Sequence, residues 1–438
     1  MKHLMHYTSL LLILFFITSC SSDTEGLLKK LYATTPAEAE IVVDINIEKL
    51  LKDSGAKVSK EGVKDASRFI DLISEGNKAL KDNLDWILSP ESAVSPEAAV
   101  IFTHSGRTVT SFFLTDPEKF RTNLAAKSHA EWENTTVGKQ TLYILHLPDG
   151  NTIAVADDQA FAGRGITGDY IASLLTLSEV ESFNGVDYAE KMAKSDEAVN
   201  FWGSIDGLLR DSQLGFAAKA QVKMMLGMFF NNPKYIVGSV TNNKESVTLT
   251  TYILDNNLKP SKCELAISKI DTDRIAALDG NANFVTALAV SGDLIKQINN
   301  VASSAGGALP KQFSELIAPL DGTIAFASPA LISAKSDGGI TDNYRLCVPT
   351  NGKQNAALSQ FLQSFGTLTI DGNLLNIAKG SYGDGSLPLE SVAKEFKDAW
   401  FGMAFTVENK DLPHLSSGII TAGAHDGTMA LKVKLNLF

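Results

Sequence analysis

A chain of 438 residues, 44% hydrophobic and 20% charged, can bury one large core or two ordinary ones. Its 39 basic residues against 50 acidic leave a net charge of −11, which argues against nucleic acid, whose phosphates demand a basic footprint. The same balance disfavours docking of the whole chain on anionic lipid by charge alone.

The first element is a leader. Lys2 places a positive charge near the start, Leu10 to Ile17 is an unbroken apolar run, and the small residues Thr18 and Ser19 lead into Cys20. That order predicts a secretory signal over 1–19, and eight apolar residues fall short of the roughly 20 that a membrane-spanning helix needs. Ile17-Thr18-Ser19-Cys20 resembles the lipobox of bacterial lipoproteins. The resemblance implies lipidation of Cys20 and cleavage before it, so that two or three acyl chains anchor the mature protein. An ordinary secretory signal with an incidental cysteine is the alternative. Removing 1–19 takes away one lysine, so the mature chain carries 38 basic residues against 50 acidic. Ser21 is not the aspartate that retains many lipoproteins at the inner membrane, so an outer-membrane lipoprotein is expected, on its periplasmic or cell-surface face. Asp23 and Glu25 loosely resemble the surface-export signal of Bacteroidota lipoproteins.

Residues 20–36 are expected to be the acylated cysteine and a tether, polar apart from Leu27, Leu28, Leu31 and Tyr32. From Glu40 to Ile47 the residues Ile41, Val43, Ile45 and Ile47 alternate, predicting a strand. Glu48 to Leu88 reads as mainly helical with a break at Ser54-Gly55. Strands at 98–103 and 108–114 follow, and Asp116-Pro117 opens a helix with an N-cap and a proline at the first position. A hairpin is expected over 141–156 across Pro148-Asp149-Gly150-Asn151, then a short helix from Tyr170 to Leu177. A strand at 198–204 precedes a long helix, Ile205 to Phe230, and two further strands end at Asp255–Pro260, the best boundary in the chain. The same order then repeats. The expectation is therefore α+β: two duplicated lobes of antiparallel sheet with packed helices, 37–257 and 258–438, each β-α-β-β-α-β-β plus a closing three-strand unit. Phe201-Trp202-Gly203 and Trp400-Phe401-Gly402 open the two closing units and suggest rings beside a close backbone approach.

The segment Val222 to Phe230 carries three of the eight methionines. An apolar helix of this kind reads as core, or, with Met224, Met225, Met228 and Phe229 outward, as an adaptable partner surface. Cys263 and Cys347 are the only cysteines after Cys20. They read either as two buried free thiols or as one disulfide.

Several patterns imitate catalytic motifs. Gly163-Arg164-Gly165-Ile166-Thr167-Gly168, with Asp187 downstream, has dinucleotide-site spacing, but no buried parallel strand leads into it, so it reads as a turn capped by Thr167 or Asp169. Ser54 and Lys57 share the Ser-x-x-Lys spacing of penicillin-recognising enzymes, and Thr341-Asp342-Asn343 vaguely resembles their second motif. The Lys-Thr-Gly strand is missing, which leaves a helix break. His104, His129, His146, His414 and His425 stand singly, without metal-ligand spacing, and no cofactor is expected. The pairs Asp157-Asp158 and Asp271/Asp273 lack a calcium-loop pattern.

The leader, the first-strand motif Ala37-Glu38-Ala39-Glu40-Ile41-Val42-Val43-Asp44-Ile45-Asn46 and Trp202-Gly203-Ser204-Ile205-Asp206 together resemble a family of Bacteroidota outer-membrane lipoproteins of unknown function. The resemblance implies no activity. The functional expectation is a non-catalytic, lipid-anchored envelope protein. It would bind a ligand or envelope partner between or beside the lobes and touch the membrane through its acyl chains. Two alternatives stay open: an envelope hydrolase whose site is assembled from distant residues, and a glycan binder using Trp86 or Trp132 as platforms.

Overall fold

The structure, a computed structural model, describes residues 24–438 apart from 60–61, 75–76, 279, 305–309, 331–341, 353–355, 381–384, 408–414, 426–427 and 438. The leader and Cys20 therefore lie outside the described residues. The protein is α+β, and its described strands pair antiparallel. Its residues gather into two compact units. Of the described residues, those up to Lys219, with Lys234–Lys244 and Asn256–Leu258, form the first; Ala220–Pro233, Glu245–Asp255 and those from Lys259 onward form the second.

The first unit contains β1 (Ile41–Asn46), the small hairpin β2 (Lys57–Ser59) and β3 (Gly62–Lys64), β4 (Val94–His104) and β5 (Arg107–Leu114). It continues with β6 (Trp132–Val137), β7 (Gln140–His146), β8 (Asn151–Ala156), β9 (Gln159–Arg164), β10 (Val199–Ser204) and β11 (Tyr235–Asn242). Pairing gives the sheet order β11-β10-β1-β4-β5-β9-β8-β7-β6. Side chains of a strand alternate between faces. Val43 and Ile45 of β1 join a core with Leu51, Leu84, Phe112, Phe120 and Leu145, built by the helices at 47–53, 78–87 and 117–128. Val42 and Asp44 point to the other face. There Asp44 stands directly opposite Asn200, and Val42 opposite both Trp202 and Phe102.

The second unit contains β12 (Ser246–Leu254), the two-residue strand β13 (Asn281–Ala282), β14 (Phe284–Val290), β15 (Gly322–Ser328), β16 (Tyr344–Pro349), β17 (Thr367–Asp371) and β18 (Leu374–Lys379). It closes with β19 (Leu387–Pro388), which pairs with β13, then β20 (Ala399–Thr406), β21 (Leu415–His425) and β22 (Thr428–Leu437). Its sheet runs β12-β22-β21-β20-β14-β15-β16-β18-β17. In each unit one strand is flanked in a comparable way by two strands that follow it in the chain: β1 lies between β4 and β10, and β14 between β15 and β20. Chain order alone does not divide the units, because β12 precedes the Asp255–Pro260 turn yet pairs with β22.

Several expectations are corrected. The stretch expected as a tether is largely folded. Thr24–Tyr32 is a helix whose Leu28, Leu31 and Tyr32 are buried, an i, i+3, i+4 apolar stripe. The 48–88 segment is three helices, Ile47–Asp53, Ser67–Ser74 and Lys78–Ile87, with the β2–β3 hairpin after Gly55. The expected hairpin over 141–156 is the middle of a four-strand meander that also includes β6 and β9. Ile205 to Phe230 is two helices, Ile205–Asp211 and Phe216–Phe229.

The glycine of the second aromatic triplet does mark a close approach, though not to its own neighbours. A Cβ on Gly402 would lie 2.5 Å from the ring of Phe396, which is fully buried. Gly402→Ala is expected to destabilise the second unit by about 1–3 kcal/mol through overpacking. Phe396→Leu should recover part of that loss in a thermal melt of the double variant.

Candidate functional site

The two motifs quoted above from the first strand and from Trp202 to Asp206 meet at one end of β1 and β10, within the first unit. They line a cavity of about 350 Å³, walled by Ala37, Glu38 and Ala39 on one side and Trp202, Ser204, Asp206, Gly207 and Arg210 on the other. Val186, Lys234 and Tyr235 complete it. The volume is near the lower end of the range of small-molecule sites.

Each wall follows from local structure. Asn200, Trp202 and Ser204 share a face of β10, and Ser204 then leaves the strand as N-cap of the Ile205–Asp211 helix, its Oγ accepting from Gly207 N at 3.3 Å. The first turn of that helix thus presents Asp206, and its last turn presents Arg210. Glu40 is 2% exposed and packs against Gly207, where a Cβ would come within 3.0 Å of its Cγ. Lys234 bonds the Asp206 carboxylate, which raises the lysine's affinity for its proton.

An aromatic row runs inward from the cavity. Tyr235 and Trp202 have ring centroids 5.3 Å apart, Trp202 meets Phe183 edge-on at 5.5 Å, and Phe183 meets Tyr32 edge-on at 5.0 Å. Tyr32 ends the row by donating its hydroxyl to Asp44 Oδ2 at 2.5 Å, while Asn200 Nδ2 donates to Asp44 Oδ1 at 2.9 Å. Burial pushes the Asp44 carboxyl up to about 7, against the lowering effect of these two donors, and burial also holds the Tyr32 hydroxyl well above its ordinary value.

Two buried polar atoms at this end of the sheet have no hydrogen-bond partner among the described residues: Trp202 Nε1 and Glu40 Oε2. The other oxygen of Glu40 accepts from Arg210 at 2.5 Å and from Ser105 N at 3.3 Å. A buried donor left unpaired costs about 1–3 kcal/mol.

The remaining candidates have structural roles. Gly163 lies in antiparallel β9 against Thr108 O, and Thr167 caps the next helix by accepting from Tyr170 N at 3.3 Å. Ser54 Oγ accepts from Asn242 and donates to Leu50 O, and Lys57 pairs with Asp65. Thr341 of the Thr-Asp-Asn pattern lies outside the described residues. His104 contacts Tyr170 through Nδ1 at 3.2 Å, His146 contacts Thr152 at 3.1 Å, and His414 is outside the described residues. No group of three or more His, Cys, Asp or Glu among the described residues is placed to hold a metal ion. Cys263 and Cys347 are free thiols, each pushed up by burial. Trp86 packs on the first unit's core under Lys127. Trp132 does likewise, donating to Arg121 O at 2.9 Å, so neither forms an open platform.

The methionine-bearing helix is not core. Met224 and Met225 are 38% and 41% exposed, Phe229 is half-buried, and the side chain of Met228 lies outside the described ones. No helix among the described residues is long and apolar enough to cross a membrane.

No family model and no curated protein matches the sequence. Among solved structures, TP0453 in its crystal form I is similar over 84% of this chain and 97% of that chain, at 11% identity and a TM-score of 0.25. Crystal form III of TP0453 is similar over 83% and 96%, at 10% identity and a TM-score of 0.25. A likeness of that size assigns no role to the residues above.

Proposed function

We propose that this is a lipid-anchored envelope protein, acylated at Cys20, that binds a small polar ligand in the cavity of its first unit without transforming it. The leader supports the anchor, and the common strand order around β1 and β14 supports an internal duplication behind the two units. Trp202 lines the cavity and its buried Nε1 has no partner among the described residues, and that donor carries the binding reading: a ligand that accepts from the indole would satisfy it. Binding is favoured over chemistry because the cations at the wall are engaged by carboxylates, Arg210 by Glu40 and Lys234 by Asp206. An incoming polar group would exchange with these pairs and need not react with them.

Native mass spectrometry of the protein released from its own membranes tests this. A small-molecule adduct is expected on the wild type and should be lost from Trp202→Phe, which keeps an aromatic ring but removes the donor. Identical bare masses for both, with both chains folded by circular dichroism, would sink the binding proposal.

A further inference from the structure

The Phe216–Phe229 helix exposes its apolar side. Phe216 is 90% exposed, and Leu214 just before the helix is 45% exposed. At 100° per residue, Phe216, Ala217, Ala220, Gln221, Met224 and Met225 occupy about half of the circumference, and all six are exposed. That half carries no charge. Val222, Leu226 and Phe229 lie on the opposite side and are partly buried. A soluble surface rarely leaves such a stripe uncovered.

Charge indicates what covers it. Lys219, whose ammonium donates to Arg210 O at 2.8 Å, and Lys223 border the stripe, and from Ser212 to Lys234 the chain has three lysines, of which Lys234 pairs with Asp206, and neither Asp nor Glu, although the whole protein is acidic. An uncharged, mainly apolar stripe bordered by lysines, on a helix of 14 residues that is too short to span a bilayer, suits the boundary between headgroups and acyl chains of an anionic membrane. The anchor proposed above would supply a lipid surface. Thr24 already belongs to the folded N-terminal helix, so acyl chains on Cys20 would hold that end of the fold within about 14 Å of the membrane surface.

We propose that the exposed stripe of the Phe216–Phe229 helix docks into an anionic lipid surface as a second, non-covalent membrane contact. The proposal rests on the reading of an anchored envelope protein but not on the cavity. Insertion of Phe216, Met224 and Met225 would supply the apolar contact, and the bordering lysines would stay at the level of the phosphates.

The mature chain with Cys20→Ser separates this contact from acylation. It is expected to float with vesicles of phosphatidylethanolamine and phosphatidylglycerol, and less with phosphatidylcholine alone. Adding Phe216→Ser, Met224→Ser and Met225→Ser should weaken flotation at least about tenfold, with an unchanged thermal melt because these side chains are exposed. In a Phe216→Trp version, brominated acyl chains should quench emission beyond the background of the native tryptophans. Equal flotation of the triple variant, no flotation of the parent, absence of quenching, or loss of a dimer in place of loss of vesicle binding would each overturn the proposal. Failure of labelled palmitate to enter Cys20 would instead remove the anchor and leave the vesicle result standing.

Discussion

Asp44→Asn is expected to make the protein more stable at neutral pH and to flatten its stability between about pH 4 and pH 7. In the fold Asp44 holds its proton up to about 7, whereas in the unfolded chain it loses it near the ordinary 3.8. Between these values the folded state binds more protons than the unfolded state, so stability falls as pH rises. Below the lower value both states are protonated, and above the upper both are ionised, so the curve is flat on either side. Three pKa units correspond to about 4 kcal/mol at full burial, an upper bound for this carboxyl. An asparagine accepts the Tyr32 hydroxyl as the acid does, and an amide flip at Asn200 satisfies its NH₂. Urea melts at a series of pH values check this, and a wild-type stability that rises from pH 4 to pH 7 where Asp44→Asn does not would refute it.

Tyr32→Ala is expected to cost about 3–5 kcal/mol, the range for deleting a large buried ring. Tyr32 is fully buried, packs edge-on against Phe183 and holds the last turn of the N-terminal helix to β1 through Asp44. Tyr32→Phe keeps the ring and should cost only about 1–2 kcal/mol, the value of a hydrogen bond to a buried polar group. The larger change should also release the helix locally, so limited proteolysis ought to cut within residues 24–36 before it cuts elsewhere. Protection of that segment in Tyr32→Ala would show that its burial does not depend on this side chain.

How much of this was legible depended on whether the signal was local. β1 announced itself because Ile41, Val43 and Ile45 alternate, and the turn at Pro148–Asn151 fixed the β7–β8 hairpin through its own chemistry. β6 carried no signal: Trp-Glu-Asn-Thr-Thr-Val is mostly exposed, pairs only with β7 among the described strands, and needs no apolar face. The N-terminal helix did carry one in Leu28, Leu31 and Tyr32, but a short stripe next to a processing site reads as linker. The Phe216–Phe229 helix misled in the opposite direction, since an apolar composition ordinarily means burial, and only exposure distinguishes core from docking surface. The cavity was out of reach by spacing, because its walls come from residues 37–39, 186, five positions between 202 and 210, and 234–235. The one available hint was that two of those stretches are the motifs carrying the lipoprotein resemblance.

The pairing of Ser246–Leu254 with the last strand sets an order of events during synthesis. Ser246 faces Asn436 across the ladder, so β12 must wait until residues 428–437 are made before this partner exists. Such long-range closure is slow, and a waiting strand rich in threonine, tyrosine and leucine is a template for mispairing. A chain interrupted before residue 428 would keep its early strands but lack this partner of β12. Folding of the second sheet therefore has one simple checkpoint: whether residues 428–437 have closed on β12.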